Sequence, residues 1–388
     1  EVDSSARPPL STKDVKVTNP SSAEGNAFTH AGSREVRIEA RTRLPARPGM
    51  LISGTRPDLG ERARSLLAET IVCDTTLPWG PNYQNQDTIL PKMREGGVSF
   101  ISLTVGIDRM SRTETVKHIA AQRNRVMREW EESCHFVESV EDIRRAREAG
   151  KLAVGFHFQG SNPLDGDINM VELYYQLGVR HMLFAYNQRN RAADGCHELS
   201  DGGLSRFGVS LVEEMNRVGM IVDATHCSYR SSMEMMEMSS APAVFSHSNA
   251  RNICPHARNL YDDQIKACAA TGGFIGINGV GHFLSDDMVA TPEAWIRHVD
   301  YIAELVGPDH IAIGLDHVYY LEQQHARRRS SPDTYPEGYP PPDWPGSYLG
   351  PGDYVRLVEK LVERGYSDPE IRGIMGENFL RVAREVWK

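Results

Sequence analysis

The sequence predicts an α/β fold, a parallel (β/α)8 barrel of the TIM type behind an extended polar N-terminal arm. Three observations predict it. Eight short, β-prone apolar runs follow one another along the chain, amphipathic helical stretches separate them, and six of the runs close on a polar residue or pair able to bind a ligand. Continuous apolar strands between helices indicate a parallel sheet covered on both faces, and eight in succession favour a closed barrel over an open sheet.

Residues 1–57 are polar and rich in Pro, Ser and Arg, with no sustained period, so they read as an arm, either disordered or wrapped around a partner subunit. From Asp58 to Lys388 the pattern is that of one barrel domain. The strand runs are ETIVCD (69–74), VSFISLTV (98–105), LAVGFHF (152–158), RHMLFAY (180–186), MIVDATH (220–226), PAVFSH (242–247), GFIGIN (273–278) and HIAIGLD (310–316). Residues 114–133, 208–217 and 293–306 carry apolar positions at helical spacing. The Pro-, Gly- and Tyr-rich stretch 329–352 follows the eighth run, which places it as a loop on the C-terminal face, and 353–387 reads as two closing helices.

Composition excludes several classes. The net charge of -9 argues against a nucleic-acid or anionic-membrane partner, which calls for a basic surface. No run of 18 apolar residues exists, so no membrane span is expected. The N-terminal stretch lacks the apolar core of a signal peptide, giving the expectation of a cytoplasmic protein unless a leader has been removed. Six cysteines form no CxxC pair and read as free thiols. The expected partners are a small-molecule substrate and a second copy of the chain, in a dimer.

A parallel barrel carries its chemistry at the C-terminal ends of its strands. Those ends hold Asp74, His157 with Gln159, Tyr186, His226, His247 and Asp316. His226 and His247 each close an apolar strand one βα unit apart and are expected to share one pocket. Imidazole and carboxylate donors suit Zn, Fe, Mn or Co, and such an ion polarises a carbonyl or activates a water. His157 and Gln159, two apart on one strand, are expected to face the barrel interior together.

These segments also resemble a known family. MNRVGMIVDATHCS followed by APAVFSHSNAR, together with LGVRHMLFAYN, GGLSRFG, CPHARNLYDDQ, GGFIGIN, HIAIGLDH and IMGENFLRVAREVW, looks like the membrane dipeptidase family (M19) of the amidohydrolase superfamily, over about residues 58–388. The resemblance implies a two-zinc site in which His226 and His247 hold the second metal, Asp316 serves the first, and Arg258 grips a substrate carboxylate. It also exposes departures. Asp74 stands where the family has a histidine, Thr76 where it has an aspartate, Gln159 where a glutamate bridges both metals, and Tyr186 where a histidine contacts substrate. Gln159 offers one neutral carbonyl oxygen and an NH2 that repels a cation, and Thr76 is a weak ligand. Two dications with so little compensating charge do not sit side by side, so one divalent ion, zinc or iron, is expected.

The expected site therefore has His226, His247, Asp74, Gln159, His157 and Asp316 as the metal set, Arg258 and Tyr186 on the substrate, and Asp316 and Tyr186 moving protons. The expected function is a metal-dependent, dipeptidase-like hydrolase acting on a small carboxylate- or amide-containing substrate. Two alternatives stand beside it. One is the same barrel repurposed as a mononuclear non-haem iron oxygenase or a lyase. The other is a catalytically silent binding protein, against which the retained histidines, Arg258 and Asp316 count.

Overall fold

The computed structural model describes residues 58–336, 339–341 and 344–388; the arm expected over 1–57 lies outside them. Nine strands form one parallel sheet: β1 (Val72–Leu77), β2 (Val98–Ile107), β3 (Cys134–Phe136), β4 (Leu152–Gln159), β5 (Val179–Leu183), β6 (Ile221–Asp223), β7 (Ala243–Val244), β8 (Ile275–Ile277) and β9 (Ile311–Ile313). Their order is β7-β6-β5-β4-β2-β1-β9-β8, and a parallel bridge between Phe245 and Ile275 brings the two ends together. All eight runs read from the sequence are barrel strands. The ninth, β3, pairs only the first residues of β4, Leu152 to Val154.

The helices follow from local sequence. Arg206–Val218 is a clear case. Ser205 caps it by accepting from Gly208 N, an interaction worth about 1 kcal/mol. Leu211, Val212, Met215 and Val218 repeat at helical spacing on its buried side, and Gly219, at φ 95, ends it in the left-handed region. Pro292–Val306 has the same plan, with Thr291 as cap. The stretch expected as a loop over 329–352 is largely irregular, but a helix at Leu321–Ser330 runs into it. The C-terminal tail folds into Tyr354–Glu363 and Asp368–Arg372, then a wide turn leading to Asn378–Val386.

The alternation of strand residues sorts the barrel into layers. Cys73, Phe100, Ala153, Ile221, Val244, Phe274 and Ala312 form one buried apolar cluster with Phe379 and Leu380 of the last helix. Phe379 stacks on Phe100 at 5.0 Å and so closes the barrel at the start of its strands. Two residues further along the same faces stand Thr75, Ser102, Gly155, Asp223, Ser246 and Gly314, so that the lining turns polar. Room there is tight: the Thr75 hydroxyl donates to Ser246 O and Ile313 O, and a Cβ at Gly314 would lie 2.0 Å from Ser246 O. The polar interior leads upward to the ends of the strands.

Candidate metal centre and substrate pocket

Three residues that leave the barrel strands do so in a conformation that L side chains rarely adopt. Asn187 follows β5 at φ 62, His226 follows β6 at φ 68, and Asp316 follows β9 at φ 54. Such backbone is held only where surrounding structure enforces it, and it concentrates at functional sites.

The His226 and His247 side chains meet. Their Nε2 atoms are 3.0 Å apart and their rings cross at 64°. The outer nitrogens are held from behind. His226 Nδ1 lies 2.6 Å from Asn187 Oδ1, a pure acceptor, so this nitrogen carries the proton. His247 Nδ1 lies 2.9 Å from Ser246 Oγ and 3.1 Å from Thr76 Oγ1. Burial, reinforced by the Arg258 charge, holds both imidazoles well below the usual histidine range and keeps them neutral. With Nδ1 of His226 protonated, its Nε2 presents a lone pair to a second imidazole nitrogen at hydrogen-bond distance. A shared proton or a shared cation satisfies that arrangement. Donor type and separation suit one ion, because two nitrogens bound tetrahedrally at ~2.1 Å stand roughly 3.4 Å apart. Among the described residues, no group of three or more His, Cys, Asp or Glu is arranged to hold a metal.

A carboxylate below the pair fixes both loops. Asp223 Oδ1 accepts from Thr225 N at 3.0 Å, Thr225 Oγ1 at 2.6 Å and Ser246 N at 3.2 Å. Each of these residues immediately precedes one of the two histidines. The structure therefore assigns Asp223 and Asn187 supporting roles that strand-end reasoning passed over. Asp223 was legible as an acid inside the apolar run MIVDATH; Asn187 carried no signal beyond its place next to Tyr186.

The other nominated ligands are placed differently. Asp74 is enclosed: Oδ1 accepts from Thr76 N and Leu315 N, and Oδ2 from the Tyr354 hydroxyl at 2.6 Å. Burial pushes its carboxyl up to about 6 against those bonds. His157 has both ring nitrogens bonded, Nδ1 to Ser102 Oγ and Nε2 to Thr104 Oγ1, each at 2.9 Å. Its ring lies flat on His181 at 4.4 Å. Gln159 shares the same inward direction, its amide donating to Thr104 Oγ1 at 3.2 Å.

Around the histidine pair lie the groups nominated for substrate. Tyr186 stacks on the His226 ring at 4.1 Å, and burial pushes its phenol well above the usual tyrosine range, which keeps it a hydrogen-bond donor. Burial pushes Asp316 up to about 7, with the Arg258 charge opposing. Arg258 is 3 % exposed; its guanidinium donates to His247 O at 3.2 Å, and its Nε has no partner. It forms no ion pair among the described residues, and the candidate partners Asp262 and Asp263 are instead bonded to Tyr301 and Tyr229. A cavity of about 210 Å³ is lined by His226, Ser248, Arg258 and Asn259, and one of about 40 Å³ by Thr104, Gln159, Tyr186, Asp316 and Arg327.

Neutral imidazoles converging at the mouth of a (β/α)8 barrel, with a guanidinium and a high-pKa carboxyl beside them, are the equipment of metal-dependent hydrolases. The family model for membrane dipeptidases (peptidase family M19) matches residues 61–321 and 345–388, more than half of the sequence, and the chain belongs to that family. It is 29% identical over 323 residues to an uncharacterized dipeptidase of Schizosaccharomyces pombe, spanning 78% of this chain and 71% of that protein. It is 30% identical over 260 residues to an uncharacterized Klebsiella pneumoniae protein encoded in the pqqA 5' region, spanning 64% of this chain and 88% of that one. Among solved structures, an amidohydrolase from Pseudomonas aeruginosa superposes with a TM-score of 0.74 at 31% identity, covering 84% of this chain and 99% of that chain. The chain is accordingly a hydrolytic metalloenzyme of the amidohydrolase type. No helix among the described residues is long and apolar enough to cross a membrane.

Proposed function

We propose that this enzyme hydrolyses an amide bond in a small, dipeptide-like carboxylate and works with one divalent ion, zinc or iron, held by His226 and His247. The observation that carries this reading is the pair of neutral imidazoles whose Nε2 atoms stand 3.0 Å apart with their outer nitrogens already engaged. Support for a single ion comes from the neighbours. Gln159 and Thr76 bring no charge, and Asp74 and His157 have their polar atoms committed to the scaffold. A divalent ion at the pair supplies Lewis acidity toward a carbonyl or a water.

The chain's own residues do the rest. Arg258, buried and without a counter-charge, binds the substrate carboxylate; a planar fork suits that geometry. Asp316, held at about 7, takes a proton from the attacking water and returns it to the leaving amine near neutral pH. Tyr186, locked in its protonated form against His226, donates a hydrogen bond to the reacting group. Turnover of simple L-Xaa-D-Ala or L-Xaa-Gly dipeptides is expected to be slow, because the first-strand pair Asp74 and Thr76, Gln159 and Tyr186 all depart from the resembled site, and each charge-stabilising group is worth about 10²–10³ in rate.

The test is release of free amine from a panel of dipeptides and N-acyl amino acids by the metal-loaded enzyme, without oxygen. Hydrolysis that stops on chelation and shows a raised KM with little change in kcat in Arg258→Lys supports the reading. A product that forms only with oxygen, or turnover indifferent to Arg258, contradicts it.

A further inference from the structure

Residues 322–344 lie between the two stretches that the family model matches. Described residues among them nevertheless line the site. Tyr339 bonds Asn187, the residue behind His226, at 3.2 Å, and Arg327 lines the cavity that Gln159, Tyr186 and Asp316 share. Arg327 sits on the helix Leu321–Ser330, donates from Nη1 to the Tyr83 hydroxyl at 2.9 Å, and holds its guanidinium 5.8 Å from the Tyr186 ring centre. Its Nε is buried without a partner, and it forms no ion pair among the described residues. Asp316 is the one carboxylate among the described residues that line this cavity.

The site thus contains two guanidinium groups that form no ion pair among the described residues, Arg258 inside the stretches that the family model matches and Arg327 outside them, with the single carboxyl of Asp316 in the field of both. A buried cation with no counter-charge is unfavourable by itself, and a ligand anion relieves it. The free ammonium end of an ordinary dipeptide would meet Arg327 as a like charge, whereas a carboxylate would accept its fork bidentately. We infer that the substrate is a dianion: one carboxylate goes to Arg258, and a second, carried on the acyl side of the amide, goes to Arg327. This rests on the amide-hydrolase reading above and adds the chemical class of the substrate, an acidic amide with no free amino end.

The test is calorimetric titration of this 388-residue chain with glutarate, adipate and butyrate. The better-fitting dicarboxylate should bind about tenfold tighter than butyrate, the gain of one charge-assisted pair. Arg327→Gln should erase that preference, bringing the dicarboxylate to the affinity of butyrate, and Arg327→Lys should restore part of it. An unaltered melting temperature in either variant certifies the fold. Equal affinity for mono- and dicarboxylates in the wild type, or a preference that survives Arg327→Gln, overturns the inference. Arg258→Gln separates the two ideas: unchanged butyrate binding there, with the preference still lost in Arg327→Gln, would refute the Arg258 anchor and support the Arg327 subsite.

Discussion

Two pairs of histidines sit inside the same barrel, and they differ in what their nitrogens face. In the pair His226 and His247 the rings cross at 64° and two Nε2 atoms point at each other across 3.0 Å. In the pair His157 and His181 the rings lie parallel within 6°, and the polar edges of His157 are filled by Ser102 and Thr104. Burial lowers the pKa of all four, so neutrality does not distinguish them. Nor does placement near the end of a strand. The difference is a lone pair: His226 Nε2 turns one toward the other imidazole of its pair, and His157 gives both of its nitrogens to hydroxyls of the neighbouring strand. Two buried histidines of one barrel, His226 and His157, thus differ in their hydrogen-bond partners.

The largest expected effect separates the two pairs directly. His247→Ala should lower hydrolysis by about 10³ or more, since it removes half of the donor set, whereas His157→Leu should cost less than about tenfold in kcat and instead lower stability by about 2 kcal/mol through two stranded hydroxyls. Steady-state rates beside urea unfolding measure both, and equal loss of activity in the two variants would break the comparison.

Next is a pH effect carried by His181 of the lower pair. His181 is held at about 4 by burial, with Asp223 opposing, and in the unfolded chain it titrates near 6.5. Between these values the unfolded chain binds the extra proton. The stability that neutral His181 carries is therefore complete above about 6.5 and falls with decreasing pH toward 4, by ~1.4 kcal/mol per unit. Asp74 and Asp108, each pushed up to about 6, and Asp316, pushed up to about 7, act in the opposite direction over the same window, so the quantity to measure is a difference. Relative to its own value at pH 7, His181→Asn should lose about 3 kcal/mol less than wild type by pH 4. Parallel stability-pH curves would refute the assignment.

Asn187→Ala should loosen the His226 ring and weaken metal binding by about 10–100-fold, which competition with a chelating dye would detect. The smallest effect is expected from Tyr354→Phe. It removes the 2.6 Å bond to Asp74 and should cost about 1–2 kcal/mol in urea unfolding while leaving metal affinity intact. Loss of metal in that variant would return Asp74 to the ligand set.

The eight barrel strands were legible because a strand buried on both faces is a continuous apolar run. The strand β3, with the sequence CHF, is too short to register, and the helix Leu321–Ser330 has no apolar period in LEQQHARRRS. That helix is held by tertiary contacts, with Gln324 and Arg328 its buried members. The histidines of the upper pair were legible from strand-end position, and Arg258 from its motif. The commitment of His157 was not, since it depends on the parallel register that sets Thr104 beside it, a contact 53 residues apart in sequence. Asp74 hides its role in the same way, through a tyrosine 280 residues downstream. Arg327 stood between the eighth strand run and the stretch read as a loop, where neither period nor motif marked it.

Metal content per chain decides whether His226 and His247 hold a single ion. Elemental analysis of protein purified without added metal should give about one equivalent of divalent ion in the wild type and in His157→Leu, and none in His226→Ala. Two tightly bound equivalents in the wild type, or loss of the ion in His157→Leu with the fold intact, would rule out a single ion held by His226 and His247.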